Sequence, residues 1–264
     1  MTQLADVVAF LERFAPPQLA ADWDNVGLLM GDRAAPVERI ATCLTVTDDV
    51  VAEAIAERAD LIVSHHPLPF RAPKTITTDT HDGRRLWRLA SAGIAIYSPH
   101  TAFDSAASGI NFRLAEGLAL LDIRPLVSLG GAIDPTLGIG RYGHYAKPTT
   151  LADVVARLKA FLQLATVEVV GDDDRPVRSV GVACGSAADH LSDAMHVGCE
   201  CFVTGEASFH KAIEAEACDT ALVLVGHYAS ERFGVERLAE ALQREFATST
   251  VWAARREKNP LRFA

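Results

Sequence analysis

Sliding the chain against itself by 140 residues sets VERIATCLTVTDDVVAEAIAERADLIVSHH (37–66) over VRSVGVACGSAADHLSDAMHVGCECFVTGE (177–206) without a gap. Val37 meets Val177, Ile40 meets Val180, Asp49 meets Asp189, Ala54 meets Ala194, and DLIVS meets ECFVT. Each copy reads as strand, helix, strand, because short β-branched runs flank a stretch with apolar residues at helical spacing. A second pairing, at an offset of 127, sets IAIYSPHTAFD (94–104) over ALVLVGHYASE (221–231), so that His100 meets His227 and Asp104 meets Glu231. Strands that alternate with helices build a parallel sheet covered by helices. The repeat therefore predicts an α/β fold: one domain over 1–264 made of two pseudo-repeated lobes, roughly 1–125 and 126–264.

Composition narrows the partners. Hydrophobic residues are 49% of the chain and charged residues 22%, the profile of a soluble globular protein. Asp and Glu outnumber Lys and Arg by 34 to 25, and the clusters RRLWR (84–88) and RREK (255–258) read as solvated faces rather than a phosphate track. Nucleic-acid binding, which depends on neutralising phosphates, is disfavoured. The start, MTQLADVVAF, lacks a basic n-region, and no apolar run is long enough to span a bilayer, so a cytoplasmic location without membrane contact is expected. The five cysteines include no C-x-x-C pair, which argues against both a disulfide framework and a thiolate zinc site. In CEC (199–201) the two thiols are expected on one face of a strand, buried in the core.

Both lobes end a strand with histidine and place a carboxylate four residues later. On a helical turn, positions i and i+4 share a face, so imidazole and carboxylate can converge on one ion. His65 and His66 close the run DLIVS in the same kind of place, at a strand's carboxyl end, where ligands bind in open α/β sheets. Pro67 biases His66 toward an extended conformation, which predicts side chains that point apart and serve two neighbouring ions. HKAIE (210–214) has the same spacing inside a predicted helix and reads as an ordinary surface pair, and His81, His144, His190 and His196 have no strand-end setting. GIGRYG (138–143) has the letters of a dinucleotide-binding turn, but HYAKPTT intervenes before the next helix. A glycine-rich strand or bend is expected there, and no nicotinamide or flavin cofactor.

Taken in order, WDNVGLLMGD, SHHP, SPHTAFD, GIGRYG, TGEASFH and GHYASE resemble the Nif-three-like family of dinuclear-metal-centre proteins, also called GTP cyclohydrolase I type 2 homologues. The resemblance runs over nearly the whole chain and implies a three-layer, two-lobed α/β fold without the inserted domain of longer members. It implies two divalent transition-metal ions per chain and a toroidal homohexamer, a trimer of dimers with its metal sites facing the interior. Carried over residue by residue, the ligands would be His65, His66, Asp104, His227 and Glu231, with Glu231 bridging the ions. His100 would sit beside the site or act as a weak ligand, and Glu206, opposite His66 in the repeat, would transfer protons or orient a ligand.

Nitrogen and oxygen donors without thiolate suit zinc, iron, manganese, nickel or cobalt. Two such ions activate water near neutral pH and polarise the group attacked, so a dinuclear metal-dependent hydrolase of a small molecule is expected. The family label adds a GTP cyclohydrolase-like reaction on a nucleotide or cyclic amide, in which metal-bound hydroxide opens the purine imidazole ring and releases formate. The alternative is a metal-binding assembly or adaptor protein without catalysis. Five protein ligands for two ions leave open positions, as catalytic sites do.

Overall fold

The computed structural model describes residues 2–129 and 134–262. From the N-terminus the elements are α1 (Leu4–Phe14), β1 (Gly27–Met30), β2 (Arg39–Cys43), α2 (Asp48–Ala56), β3 (Leu61–Ser64), α3 (His81–Ser91), β4 (Ala95–Ser98), α4 (His100–Ser105), α5 (Ile110–Gly117) and β5 (Leu121–Arg124). Then follow β6 (Val127–Ser128), β7 (Gly138–Ile139), β8 (Arg141–Thr150), α6 (Leu151–Leu162), β9 (Glu168–Val170), β10 (Pro176–Ala183), α7 (Leu191–His196), β11 (Cys201–Thr204), α8 (Phe209–Ala217), β12 (Ala221–Leu224), α9 (His227–Glu245) and β13 (Thr250–Ala253). The chain forms two compact units, Met1–Phe103 with Gly234–Ala264, and Asp104–Phe233.

The first unit holds a five-stranded sheet in the order β1-β4-β3-β2-β13. All its neighbours run parallel except edge strand β1, which is antiparallel to β4. Thr47 and Thr80 cap α2 and α3, accepting hydrogen bonds from Val50 N and Gly83 N. The stripes Val50, Val51 and Ala54 of α2 and Leu86 and Leu89 of α3 pack with Ala41, Cys43, Ile62 and Ile96 of the sheet. On the other face Thr42 Oγ1 donates to Val235 O of α9 (3.1 Å). Helix α1 buries Leu4, Val7, Val8 and Leu11, each worth about 1.5–3 kcal/mol of burial. Strand β13 is held by a buried carboxylate: Glu53 accepts from Trp252 Nε1 (3.1 Å), Arg255 N (3.0 Å) and Arg256 N (2.8 Å).

The second unit holds a six-stranded sheet, β5-β8-β10-β11-β12-β9, with β10, β11 and β12 parallel. Leu114 of α5 and Leu151, Val154 and Leu158 of α6 cover one face, and Leu191 and Ala194 of α7 with Ala215 of α8 cover the other. Both units are thus three-layered. GIGRYG is a bend entering β8, as expected, and its arginine is fully buried. The Arg141 guanidinium donates to the carbonyls of Gly138 (2.6 Å), Gly140 (2.6 Å), Ala106 (2.7 Å), Thr136 (3.1 Å) and Ser105 (3.2 Å).

The repeat holds at the level of strand register. Ile40 pairs with Leu61, and their counterparts Val180 and Cys201 pair likewise. The third strands are shifted. Leu61 pairs with Ala95 but Cys201 pairs with Ala221, one residue earlier than the offset of 127 places it. The second copy absorbs the extra residue between β12 and α9, where Gly226 takes φ +86°. Cys199 and Cys201 are both buried but join different cores, because β11 begins only at Cys201 and strand alternation does not reach Cys199. None of the five cysteines is in a disulfide.

Candidate metal centre

In the first unit β3 ends at Ser64 and the backbone bends at both following histidines. The alternation of an extended chain is lost, and the rings of His65 and His66 lie 5.2 Å apart at 51° instead of pointing away from each other. His100, the first residue of α4, joins them: one ring nitrogen of each of the three lies within 4.8 Å of the others. His100 has φ +25°, a left-handed conformation costly for a side-chain-bearing residue and one that clusters at functional sites. Ser98 Oγ donates to His65 O (2.6 Å), and Thr45 Oγ1 lies 2.7 Å from His66 Nδ1.

Asp24 holds His100 in place. Its buried side chain accepts from His100 Nδ1 (2.7 Å), Thr101 Oγ1 (2.5 Å) and Asn25 N (2.7 Å). Burial alone would raise the Asp24 pKa, but the hydrogen bonds from His100 and Thr101 outweigh it and bring the group down to about 2. A carboxylate can only accept, so His100 Nδ1 donates to it, and a carboxylate on one ring nitrogen is the arrangement that orients metal-binding histidines through the other.

In the second unit β11 ends at Thr204 and α9 begins with His227. His227 Nε2 lies 3.1 Å from Glu231 Oε2, one helical turn on, and His227 Nδ1 lies 3.0 Å from Glu206 Oε1. The hydrogen bond to Glu231, then the two carboxylate charges, push His227 up to about 9 against the opposing effect of burial. Glu206 is held below the usual carboxylate range by the hydroxyl of Ser186 and by His227. Glycine is required at 185, where φ is +66° and a Cβ would strike the Glu231 carboxylate. Asp104 accepts from Cys184 Sγ (3.1 Å), and Asn111 joins the two by donating to Asp104 O (3.2 Å) and accepting from Cys184 N (2.8 Å). Burial and the Asp104 and Glu231 charges push the Cys184 thiol well above its usual range, so it stays a donor and not a thiolate ligand.

The first unit thus brings together His65, His66 and His100, and the second brings together Glu206, His227 and Glu231, with Asp104 bound to Cys184. These imidazole and carboxylate sets suit borderline divalent metals. Asp24, Thr45, Ser186 and Cys184 carry no signal in spacing, and only the tertiary structure brings them to the predicted residues. Elsewhere Glu214 pairs with Lys211 (3.0 Å), His190 with Asp193 (2.7 Å) and His144 with Asp122 (3.3 Å), ordinary surface pairs. Among the described residues no helix is long and apolar enough to cross a membrane.

Known proteins are similar to this chain in sequence and in fold. A Clostridium acetobutylicum protein named GTP cyclohydrolase 1 type 2 homolog is 33% identical over 91% of this chain and 90% of its own. The NIF3-like protein 1 of Drosophila melanogaster is 34% identical over 98% of this chain and 88% of its own. The crystal structure of a Bacillus cereus protein related to NIF3 superimposes with a TM-score of 0.89 at 23% identity, covering 100% of both chains, and so shares the fold. The profile of one family matches residues 2–260, and the chain belongs to that family, Duf34/NIF3 (NGG1p interacting factor 3).

Proposed function

We propose that the chain is a divalent-metal-dependent hydrolase of a small molecule, and that His65, His66, Asp104, His227 and Glu231 would hold two ions. One observation carries this reading: three imidazole nitrogens converge within 4.8 Å at the end of a parallel strand, one of them oriented by a buried carboxylate. Ions bound by such donors polarise a carbonyl or imine and lower the pKa of water toward ~7. The chain's own residues supply the proton handling. His100, its Nδ1 hydrogen-bonded to Asp24, would stand beside these ligands as a weak ligand itself or as a group that takes part in proton transfer. Glu206, ionised and hydrogen-bonded to His227 Nδ1, takes up or returns a proton at that atom.

The finer form of the proposal is GTP cyclohydrolase-like chemistry on a nucleotide or cyclic amide, supported by relatives 33% and 30% identical to this chain that are named GTP cyclohydrolase 1 type 2 homolog. Assembly into a ring-shaped homohexamer belongs to the same proposal and rests on the family resemblance; sedimentation velocity checks it. A second reading, an adaptor without catalysis, is favoured by the family's description as an interacting factor and by the exposed Phe209 and Ile213 of α8.

Protein loaded with zinc, iron or manganese and offered nucleotides, cyclic amides and phosphoesters separates the two. Turnover of at least one compound, lost in Glu231→Ala, is expected, with formate released from GTP in the finer form. Inactivity across the panel, with saturable binding of a protein partner, contradicts the hydrolase and supports the adaptor.

A further inference from the structure

Two aromatic side chains beside the imidazole set are left in solvent. Trp23 is 64% exposed and Phe70 43%. Their ring centroids are 5.9 Å apart, and each stands edge-on to His100, at 6.1 Å and 74° for Trp23 and 6.2 Å and 78° for Phe70. The three rings form an open corner. An indole so exposed forgoes the gain from burial, and its neighbours show what holds it there. Ala21 N donates to Thr101 Oγ1 (3.0 Å), Asp24 binds His100 and Thr101, and Asn25 Nδ2 donates to Pro69 O (2.7 Å). Residues 21–25 are therefore fastened on one side to the start of α4 and on the other to the loop that carries Phe70. Phe70 also walls a cleft of about 530 Å³ with Pro69, Pro73 and Leu86, a volume in the range of small-molecule pockets.

We infer that Trp23 and Phe70 are a stacking site for a flat heteroaromatic ring of nucleobase size, and that this ring is part of the substrate. Placing the ring on the substrate rests on the metal-dependent reading of the adjacent histidines. An indole face accepts any π-system of matching size, because stacking does not depend on one hydrogen-bond pattern. A ring stacked parallel to Trp23 stands nearly perpendicular to His100. In that orientation its edge, where heterocycles carry their nitrogen and carbonyl atoms, meets the imidazole.

Titration calorimetry on the zinc-loaded full chain tests this with guanosine, adenosine, cytidine and nicotinamide as flat rings and ribose 5-phosphate as the ring-free control. At least one flat ring is expected to bind saturably where ribose 5-phosphate does not. Trp23→Ala should weaken it about tenfold or more, Phe70→Ala less, and Trp23→Phe no more than about threefold. The exposure of Trp23 makes these variants safe for the fold, and unchanged zinc content and sedimentation confirm it. Binding that ignores Trp23→Ala, or no Trp23-dependent binding across the four rings, overturns the inference. So does a change of oligomer mass in Trp23→Ala with loss of ring binding, which would mean that the indole packs against a second copy. The metal reading is scored separately by zinc content. Trp23-dependent binding in a chain that holds no zinc keeps the stacking site and removes the metal, and zinc without ring binding does the reverse.

Discussion

In the first unit β3 runs out into His65 and His66, whereas in the second the equivalent strand β11 runs out into Gly205 and Glu206. A Cβ at Gly205 would lie 3.0 Å from His227 Cα and 2.8 Å from Ser230 Oγ, so the start of α9 leaves no room for a side chain at the position where the other copy carries His65. The helix-starting histidines differ as well. His100 leans on one carboxylate, Asp24, from outside the repeat, while His227 sits between Glu206 and Glu231. One scaffold used twice therefore gives one set dominated by imidazole and one dominated by carboxylate, and borderline divalent ions take both kinds of donor.

Removing the centre of the carboxylate set should have the largest effect. Glu231→Ala strips His227 Nε2 of its partner and is expected to cost about 2–3 kcal/mol in urea unfolding, together with most of the bound metal. Asp24→Asn attacks the imidazole set. It leaves the strand ends untouched but removes the acceptor that fixes His100, and a 10–100-fold loss of metal affinity is expected, read by competition with a chelator. If Glu231→Ala and Asp24→Asn lowered affinity equally, the two copies would not differ as described.

Acidity separates the copies without mutation. In metal-free protein, His227 is raised from 6.5 to about 9, so its stabilisation is full below pH 6.5 and is lost as pH rises through about 9. Asp24 is lowered from 3.8 to about 2, so its stabilisation is full above pH 3.8 and is lost as pH falls through about 2. Unfolding free energies between pH 2 and 10 should show both flanks, and Glu231→Ala should flatten only the alkaline one. Metal uptake must also displace the His227 proton, so zinc binding below about pH 9 should release a proton measurable in weakly buffered solution. The smallest effect belongs to Cys184. Cys184→Ala should cost about 1 kcal/mol by removing the donor to Asp104, and Cys184→Ser, which keeps a donor, less.

What the residues revealed on their own was local. The strand-end histidines and the carboxylates four residues on were legible because repetition at 140 and 127 put like beside like. The parallel cores followed from it, and the structure adds that the registers match, Ile40 with Leu61 and Val180 with Cys201. Long-range structure was not legible. Strand β13 joins β2 from the far end of the chain, outside either repeat, and Asp24 reaches His100 across 76 residues through a loop whose sequence has no period. The divergence expected of His65 and His66 failed because a bend, not an extended strand, carries them.

The most direct test is elemental analysis of the purified, metal-loaded chain beside His66→Ala, from the imidazole set, and Glu231→Ala, from the carboxylate set. Close to two transition-metal ions per wild-type chain, with loss in both variants, is the predicted result. A full complement in both variants, or none in the wild type, would contradict the account.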